Sequence, residues 1–210
     1  MGLRGSVSFF GMRIVMIVLL VMVLLFVAVF AVGGMMLDKN FSLKRSIVIA
    51  APPAEVHKLV GDLKRWDEWT PWQDYDDSMV VTLSPRTTGV GASQSWTSTD
   101  GLGELTFTKS DPATGIEFDL VFTQDENRMP SVSTIEYEPT DGGTKVTWTM
   151  SGAIDQAIIG GYIASQMDAF VGPMYEVGLK KLKDAVEQKP AEATETPETG
   201  KAPVPAGKDG

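Results

Sequence analysis

Residues 116–122 carry a plain structural signal, because large apolar side chains recur there at every second position: Ile116-Glu117-Phe118-Asp119-Leu120-Val121-Phe122. Successive side chains of a β-strand point to opposite faces of a sheet. The segment therefore predicts a strand with its even-numbered side chains toward a core and Glu117 and Asp119 toward water. A strand with one apolar and one polar face is typical of an antiparallel sheet.

The same alternation recurs on both sides of this segment. It predicts strands in residues 41–49, 104–108 and 145–150, and weaker strands in residues 79–84, 92–98 and 131–138. Turn residues lie between them, at Asp100 to Gly103, Asp111-Pro112, Asn127 to Pro130 and Asp141 to Gly143. Short connections of this kind join antiparallel neighbours, so we expect one antiparallel sheet of about seven strands.

Two regions have helical spacing. The first opens at Pro52-Pro53, and proline suits the first turn of a helix. The second runs from about Ile158 to Glu187, with an interruption expected at Gly172-Pro173 because an interior proline removes a hydrogen bond. Its last part places one apolar stripe toward the sheet: Tyr175, Gly178, Leu179, Leu182 and Val186. The fold class is therefore α+β, with this C-terminal helix covering the apolar face of the sheet.

The N-terminal region is apolar enough to cross a membrane. No charged residue lies between Arg13 and Asp38, and about 20 apolar residues span a hydrocarbon core about 30 Å thick. We therefore predict a short tail at residues 1–13 and a transmembrane signal-anchor at residues 14–37, which would contact the lipid bilayer. The alternative is a cleaved signal peptide, although its apolar region is usually only about 7–15 residues long.

The charges around this span bear on its orientation. Positive charge before the span, at Arg4, Arg13 and the terminal amine, roughly equals that after it, at Lys39, Lys44 and Arg45. A short basic N-terminal tail nevertheless usually stays in the cytoplasm. This places the soluble domain, residues 41–187, outside the cytoplasm, on the periplasmic side of a bacterial inner membrane. Residues 188–210 are rich in Pro, Ala, Glu, Thr, Lys and Gly, which predicts a disordered tail.

Composition excludes several classes of site. The chain has no cysteine, one histidine and a formal net charge of −9. Disulfides, thiolate metal sites and cysteine nucleophiles are therefore excluded, and the charge argues against nucleic acid as a partner. The acidic run Asp74, Asp76 and Asp77 lacks the glycine and the distal glutamate of a calcium loop. The sequence predicts neither a metal nor another cofactor.

Several segments, taken in chain order, resemble one known superfamily. They are Arg45 to Ile49 with Ala51 to Val56, the tryptophan segment Asp62 to Trp72, Gly89 to Ala92 before Trp96, Gly142 to Trp148, and Glu176 to Lys183. They resemble the START-like (SRPBCC) superfamily, and within it the polyketide cyclase/dehydrase-like family. The resemblance implies a helix-grip fold, a curved antiparallel sheet around a long C-terminal helix. It implies little about activity, because the superfamily includes ligand carriers, cyclases and hydrolase-like proteins.

No catalytic constellation is recognisable in the sequence. His57 is the only histidine and has no evident acidic or nucleophilic partner nearby in the chain. Ligand pockets are mostly apolar, so the remaining candidates are side chains that would line a cavity between sheet and C-terminal helix: Trp66, Trp69, Trp72, Trp96, Phe107, Phe118, Phe122, Trp148, Tyr162 and Met174. An ordinary core would use the same residue types.

Three functions stay open at this point. The first is a membrane-anchored module that binds a hydrophobic small molecule or lipid, with no catalysis evident. The second is a structural or accessory protein that binds membrane or envelope proteins, and the third is a polyketide cyclase/dehydrase-like enzyme. Only Asp38 to Asn40 separate the span from the first strand, and this closeness to the bilayer favours a lipid-soluble ligand or a membrane partner.

Overall fold

The computed structural model describes residues 9–188, so most of the predicted disordered tail lies outside the described residues. The chain forms α1 (Phe9–Met36), β1 (Asn40–Ile49), α2 (Pro53–Val60), a 3₁₀ helix (Leu63–Glu68), α3 (Trp72–Tyr75), β2 (Val80–Leu83), β3 (Ser93–Ser98), β4 (Gly101–Asp111), β5 (Gly115–Gln124), β6 (Asn127–Thr140), β7 (Gly143–Ala153) and α4 (Gly160–Glu187). The predicted strands and helices occur in the predicted order.

The strands form one seven-stranded antiparallel sheet in the order β1-β7-β6-β5-β4-β3-β2. β2 to β7 follow one another as antiparallel neighbours, and β7 also pairs with β1, the first strand of the chain, which forms the far edge of the sheet. The sheet is curved, and α4 lies on its concave face along β1. This is the α+β helix-grip arrangement that the sequence predicts.

The predicted break in the C-terminal helix is wrong. α4 is continuous from Gly160 to Glu187, with Pro173 inside it. The ring of a proline clashes with the backbone N–H and the Cβ of the residue before it, which disfavours a helix there; Gly172 has no Cβ, so part of this clash is absent. The carboxyl-terminal end of α4 is held next to the end of β1, because the backbone N–H of Ala50, the residue after β1, donates to Glu187 Oε1 at 2.7 Å.

Two turns differ from their predicted positions. Gly101 to Gly103 belong to β4, and Asn127 to Pro130 belong to β6, so both hairpins are tighter than expected. The β5–β6 turn is made by Asp125 and Glu126, with Asp125 in the left-handed region at φ 53°. Asp enters this region more readily than most residues, which permits a two-residue turn without glycine.

α1 precedes the sheet and is exposed along most of its length. Within Gly11–Met36 an 18-residue stretch has a mean hydropathy of 3.5, and the helix is long and apolar enough to cross a membrane. The described part of α1 includes residues 9–13, so this part of the segment predicted as a tail is helical. The next strand starts at Asn40, only four residues after the end of the helix.

Candidate functional site

A cluster of aromatic rings occupies the centre of the concave face. Five predicted site residues belong to it and are at most 3% exposed: Trp66, Trp69, Phe107, Phe118 and Trp148. Trp148 stacks on Tyr175 of α4 with ring centroids 3.8 Å apart. Trp66 packs edge-on against Trp69 and Phe118, each at 5.5 Å. These rings pack on one another, so a ligand at this level would have to displace them.

Hydrogen bonds fix two of the buried rings. The indole N–H of Trp148 donates to Ser133 Oγ at 3.0 Å, and that of Trp66 donates to the Val60 carbonyl at 2.9 Å. Burial raises the pKa of the Tyr175 phenol, so this hydroxyl stays protonated at neutral pH. Of two further predicted residues, Trp72 is half-buried against Trp148 and Tyr175, and Met174 is half-buried on α4.

The concave face is less completely covered toward one end of the sheet. Half-buried apolar side chains gather there: Trp96, Leu120, Phe122, Met129 and Met150. We call these five side chains the open end. Across the strands, Trp96 is paired with Gly103, Gly103 with Phe122, and Phe122 with Met129. A Cβ on Gly103 would overlap the Trp96 indole, so the glycine lets that ring lie over β4.

The open end lies toward α1. β1 starts and β7 finishes at this edge of the sheet, since Asn40 pairs with Ala153. The neighbouring β6 also starts here, and its Ser131 pairs with Gly152 of β7. The half-buried Met167 and Val171 of α4 also pack against the core.

Three buried polar side-chain atoms have no hydrogen-bond partner among the described residues. One is the side-chain oxygen of Gln156, before α4; the other two are the side-chain oxygen of Gln94 and the indole nitrogen of Trp69. Gln94 is 8% exposed and lies on β3, two residues before Trp96. Burying such an atom unpaired costs about 1–3 kcal/mol. A ligand group that bonds to the Gln94 or the Trp69 atom would recover that free energy.

Tyr162, also predicted to line the cavity, lies elsewhere. Its ring stacks on Phe30 of α1 with centroids 4.6 Å apart, so it belongs to the contact between α1 and α4. The aromatic pattern of the sequence had no way to indicate this partner, which is 132 residues away in the chain.

An ion-pair group joins β1 to α4 and has no counterpart among the sequence-predicted sites. Arg45 points to the concave face, with Nη1 2.8 Å from Asp168 Oδ1 and Nε 2.7 Å from Glu176 Oε1. Its guanidinium lies against Gly172, where a Cβ would overlap it. Hydrogen bonds from Arg45 hold the pKa of Asp168 below its ordinary value.

His57 is surrounded by hydroxyl groups on a different side of the domain. Its Nδ1 lies 3.3 Å from Tyr137 Oη and its Nε2 3.3 Å from Ser110 Oγ. The pairing of β4 with β5 shifts register between Phe107 and Lys109. Such a bulge changes the direction of a strand, and Ser110, which follows it, lies next to His57. Burial lowers the pKa of His57, and the nearby Asp111 carboxylate opposes that shift.

Two surface clefts lie away from the interface of sheet and α4. One, of about 560 Å³, is bordered by His57, Arg65 and Ser110. The other, of about 400 Å³, is bordered by charged side chains such as Lys44, Glu136 and Lys145. Within residues 9–188, no group of three or more His, Asp or Glu side chains is placed to hold a metal ion.

Comparison with known proteins agrees with this architecture. The family model described as "Polyketide cyclase / dehydrase and lipid transport" matches residues 40–187. No curated protein matches the chain. Among solved structures, an uncharacterised Rhizobium leguminosarum protein is similar at a TM-score of 0.54 and 19% identity, over 72% of this chain and 97% of that one.

Two other solved structures give the same result. A protein from Chromobacterium violaceum has a TM-score of 0.52 and 18% identity, over 70% of this chain and 96% of that one. The ZhuI aromatase/cyclase from a Streptomyces species has a TM-score of 0.53 and 14% identity, over 70% of this chain and 94% of that one. At such identities the likeness shows the fold alone. With a family model matched from β1 to the end of α4, the chain belongs to the polyketide cyclase/dehydrase and lipid transport family.

Proposed function

We propose that this protein is a membrane-anchored domain that binds a hydrophobic small molecule or lipid at the open end of its concave face. The observation that carries the proposal is that apolar side chains on the concave face are fully buried at its centre and only half-buried at the end next to α1. The aromatic cluster fills the centre, whereas Trp96, Phe122 and Met129 stay half-buried at the end next to α1. An acyl chain lying across them would remove apolar surface from water at about 25 cal/mol per Å².

The polar atoms nearby suit an amphipathic ligand. Pockets for such ligands are mostly apolar, with a few polar groups that set orientation. Gln94 presents an unpaired oxygen on the same strand as Trp96, and it would accept a hydrogen bond from a ligand hydroxyl or amide. The family description, which includes lipid transport, supports the same class of ligand.

The membrane part of the proposal rests on α1. Its uncharged stretch matches the thickness of a bilayer, and the basic residues Arg4 and Arg13 precede it. We place the folded domain on the extracytoplasmic side, which in a bacterium is the periplasm. A membrane-impermeant maleimide should label Val90→Cys in intact spheroplasts. Labelling only after lysis would place the domain in the cytoplasm.

The ligand site is tested by photo-crosslinking in the bilayer. The full chain is reconstituted in phosphatidylcholine vesicles that contain a phosphatidylcholine with a diazirine in one acyl chain. After illumination, mass spectrometry should find adducts on peptides from β3, β5 and β6 that carry Trp96, Phe122 and Met129. Adducts confined to α1 would mean that lipid contacts only the span, and the proposed site would be wrong.

A matched pair of variants on β6 sharpens this test. Met129→Gln changes a side chain of the open end, whereas Val132→Gln changes one on the outer face of the same strand, where Val132 is 41% exposed. We expect M129Q to reduce the adducts on β3 and β5 severalfold and V132Q to leave them unchanged. Equal adduct yields in the two variants would contradict binding at the open end.

A further inference from the structure

The carboxyl-terminal end of α1 packs against the amino-terminal end of α4. The rings of Tyr162 and Phe30 are stacked with an interplanar angle of 8°, and the Tyr162 hydroxyl donates to the Phe30 carbonyl at 3.0 Å. Two glycines of α1 provide the space. A Cβ on Gly33 would come within 2.6 Å of the Tyr162 hydroxyl, and one on Gly34 would overlap the Ile158 carbonyl. We call these five residues the anchor–α4 contact.

The chain between α1 and β1 is held to the same region. The backbone N–H of Ile154 donates to the Lys39 carbonyl at 3.0 Å, and the Lys39 ammonium lies 3.4 Å from Asp155. Gly161 packs so closely on Leu37 that a Cβ would lie 2.5 Å from the leucine Cβ. The segment that leads into α4 is therefore fixed to the end of α1 and to the linker after it.

The depth of this contact follows from the position of Phe30 in the span. Phe30 precedes Asp38 by eight residues, which is about 12 Å along a helix. A span centred between Arg13 and Asp38 puts the Phe30 carbonyl several ångströms inside a hydrocarbon layer about 30 Å thick. The Tyr162 hydroxyl lies at the same depth. Its hydrogen bond to a backbone carbonyl supplies the partner that lipid cannot supply.

The side chains around Tyr162 are those of a lipid-facing surface. Ile158, Ile159 and Ile163 are 41%, 47% and 37% exposed in the absence of a membrane. The exposed apolar surface of these three isoleucines is unfavourable in water and favourable in contact with acyl chains.

We propose that the amino-terminal end of α4 is immersed in the bilayer, where Ile158, Ile159 and Ile163 contact lipid acyl chains. The anchor–α4 contact then holds the domain in one orientation, with its open end facing the membrane. This inference rests on the membrane anchoring proposed above, and it adds a second lipid-contacting surface that belongs to the folded domain.

Site-specific labelling tests the proposal directly, because the chain contains no cysteine. Ile159→Cys and the control Val90→Cys are each labelled with a nitrobenzoxadiazole maleimide in the full chain, reconstituted in phosphatidylcholine vesicles. Val90 is 56% exposed and lies in the loop between β2 and β3. We expect spin-labelled phosphatidylcholine to quench the label at residue 159 and to leave the label at residue 90 unquenched. Equal quenching at the two positions would overturn the proposal.

Variants of α1 test whether the anchor–α4 contact causes the immersion. Gly34→Val introduces a side chain into the contact, whereas Gly11→Val makes the same change where nothing lies within 4 Å of the added Cβ. We expect G34V to reduce the quenching at residue 159 and G11V to preserve it. Unchanged quenching in G34V would remove the role assigned to the contact. If G34V does not yield folded protein, Tyr162→Phe deletes only the hydrogen bond and should cause a smaller loss of quenching.

This result and the result of lipid photo-crosslinking are separable. Quenching at residue 159 without adducts on β3, β5 and β6 would leave the immersed surface standing and contradict the ligand site. Adducts on those strands without quenching at residue 159 would support the ligand site and contradict the immersed surface. Release of the full chain from vesicles by alkaline carbonate would contradict the membrane anchoring on which both depend.

Discussion

At the scale of single residues, His57 is the side chain whose ionisation depends most plainly on its surroundings. Burial lowers its pKa below the ordinary value of 6.5, so the folded protein binds this proton at a lower pH than the unfolded chain. The unfolded state therefore gains protons first, and stability is lost as pH falls from about 6.5 toward the folded pKa. Above about pH 6.5 this contribution is fully present.

We therefore predict that the imidazole of His57 titrates below pH 6.5 in the folded protein. It is the only histidine of the chain, so the NMR signals of histidine-labelled protein in detergent are unambiguous. His57→Gln keeps a neutral polar side chain and should flatten the fall in unfolding temperature between about pH 7 and pH 5. A folded pKa at or above the ordinary value would contradict the prediction.

The aromatic residues show what a sequence can and cannot predict at this scale. Their placement on one face follows from alternation, so the inward direction of Phe107, Phe118 and Trp148 is predictable. Which of them stay half-buried depends on the pairing of several strands and on where α4 crosses them. The ring of Trp96 lies over Gly103 only because β3 and β4 pair in that register.

At the scale of secondary-structure elements, the attachment of α4 to β1 is the main connection outside the sheet. Arg45 forms salt bridges with two carboxylates of α4, Asp168 and Glu176. Its guanidinium lies against the backbone of Gly172, which is midway between them in the helix. The sequence gives little sign of this group, because the partners are 123 and 131 residues apart. It does predict the buried stripe of α4 from Tyr175 to Leu182, since helical spacing is a local property.

A double-mutant cycle tests the close contact of Arg45 with Gly172. Gly172→Ala should destabilise the protein by about 1–3 kcal/mol, because its Cβ meets the Pro173 ring and also requires an already paired guanidinium to move. In the background of Arg45→Ala the guanidinium is gone and only the contact with the proline ring remains, so the same substitution should cost less. Unfolding followed by tryptophan fluorescence in a mild detergent provides the four stabilities. Gly142→Ala, where an added Cβ meets nothing within 4 Å, serves as the additive control. Additive effects of R45A and G172A would mean that the Arg45 side chain moves away from the added Cβ without any loss of stability.

At the scale of the whole molecule, two kinds of connection tie the folded domain to α1. One is covalent, because β1 begins only four residues after α1 ends. The other is the anchor–α4 contact, which fixes direction as well as distance. A short linker alone keeps the domain within reach of the bilayer but allows it to rotate, whereas the contact would keep the open end toward lipid.

Lengthening the linker separates the two contributions. A ten-residue Gly/Ser insertion after Asp38 adds a flexible segment about 17 Å in mean extent. With the anchor–α4 contact intact, the second attachment is still intramolecular at a high effective concentration, so the insertion should barely change quenching of a label at residue 159. Combined with G34V, it should remove the quenching almost completely and reduce the phospholipid adducts on β3, β5 and β6 as well. If the insertion by itself abolished quenching, the covalent linker alone would set the orientation of the domain, and the packing of Tyr162 on Phe30 would contribute nothing to it.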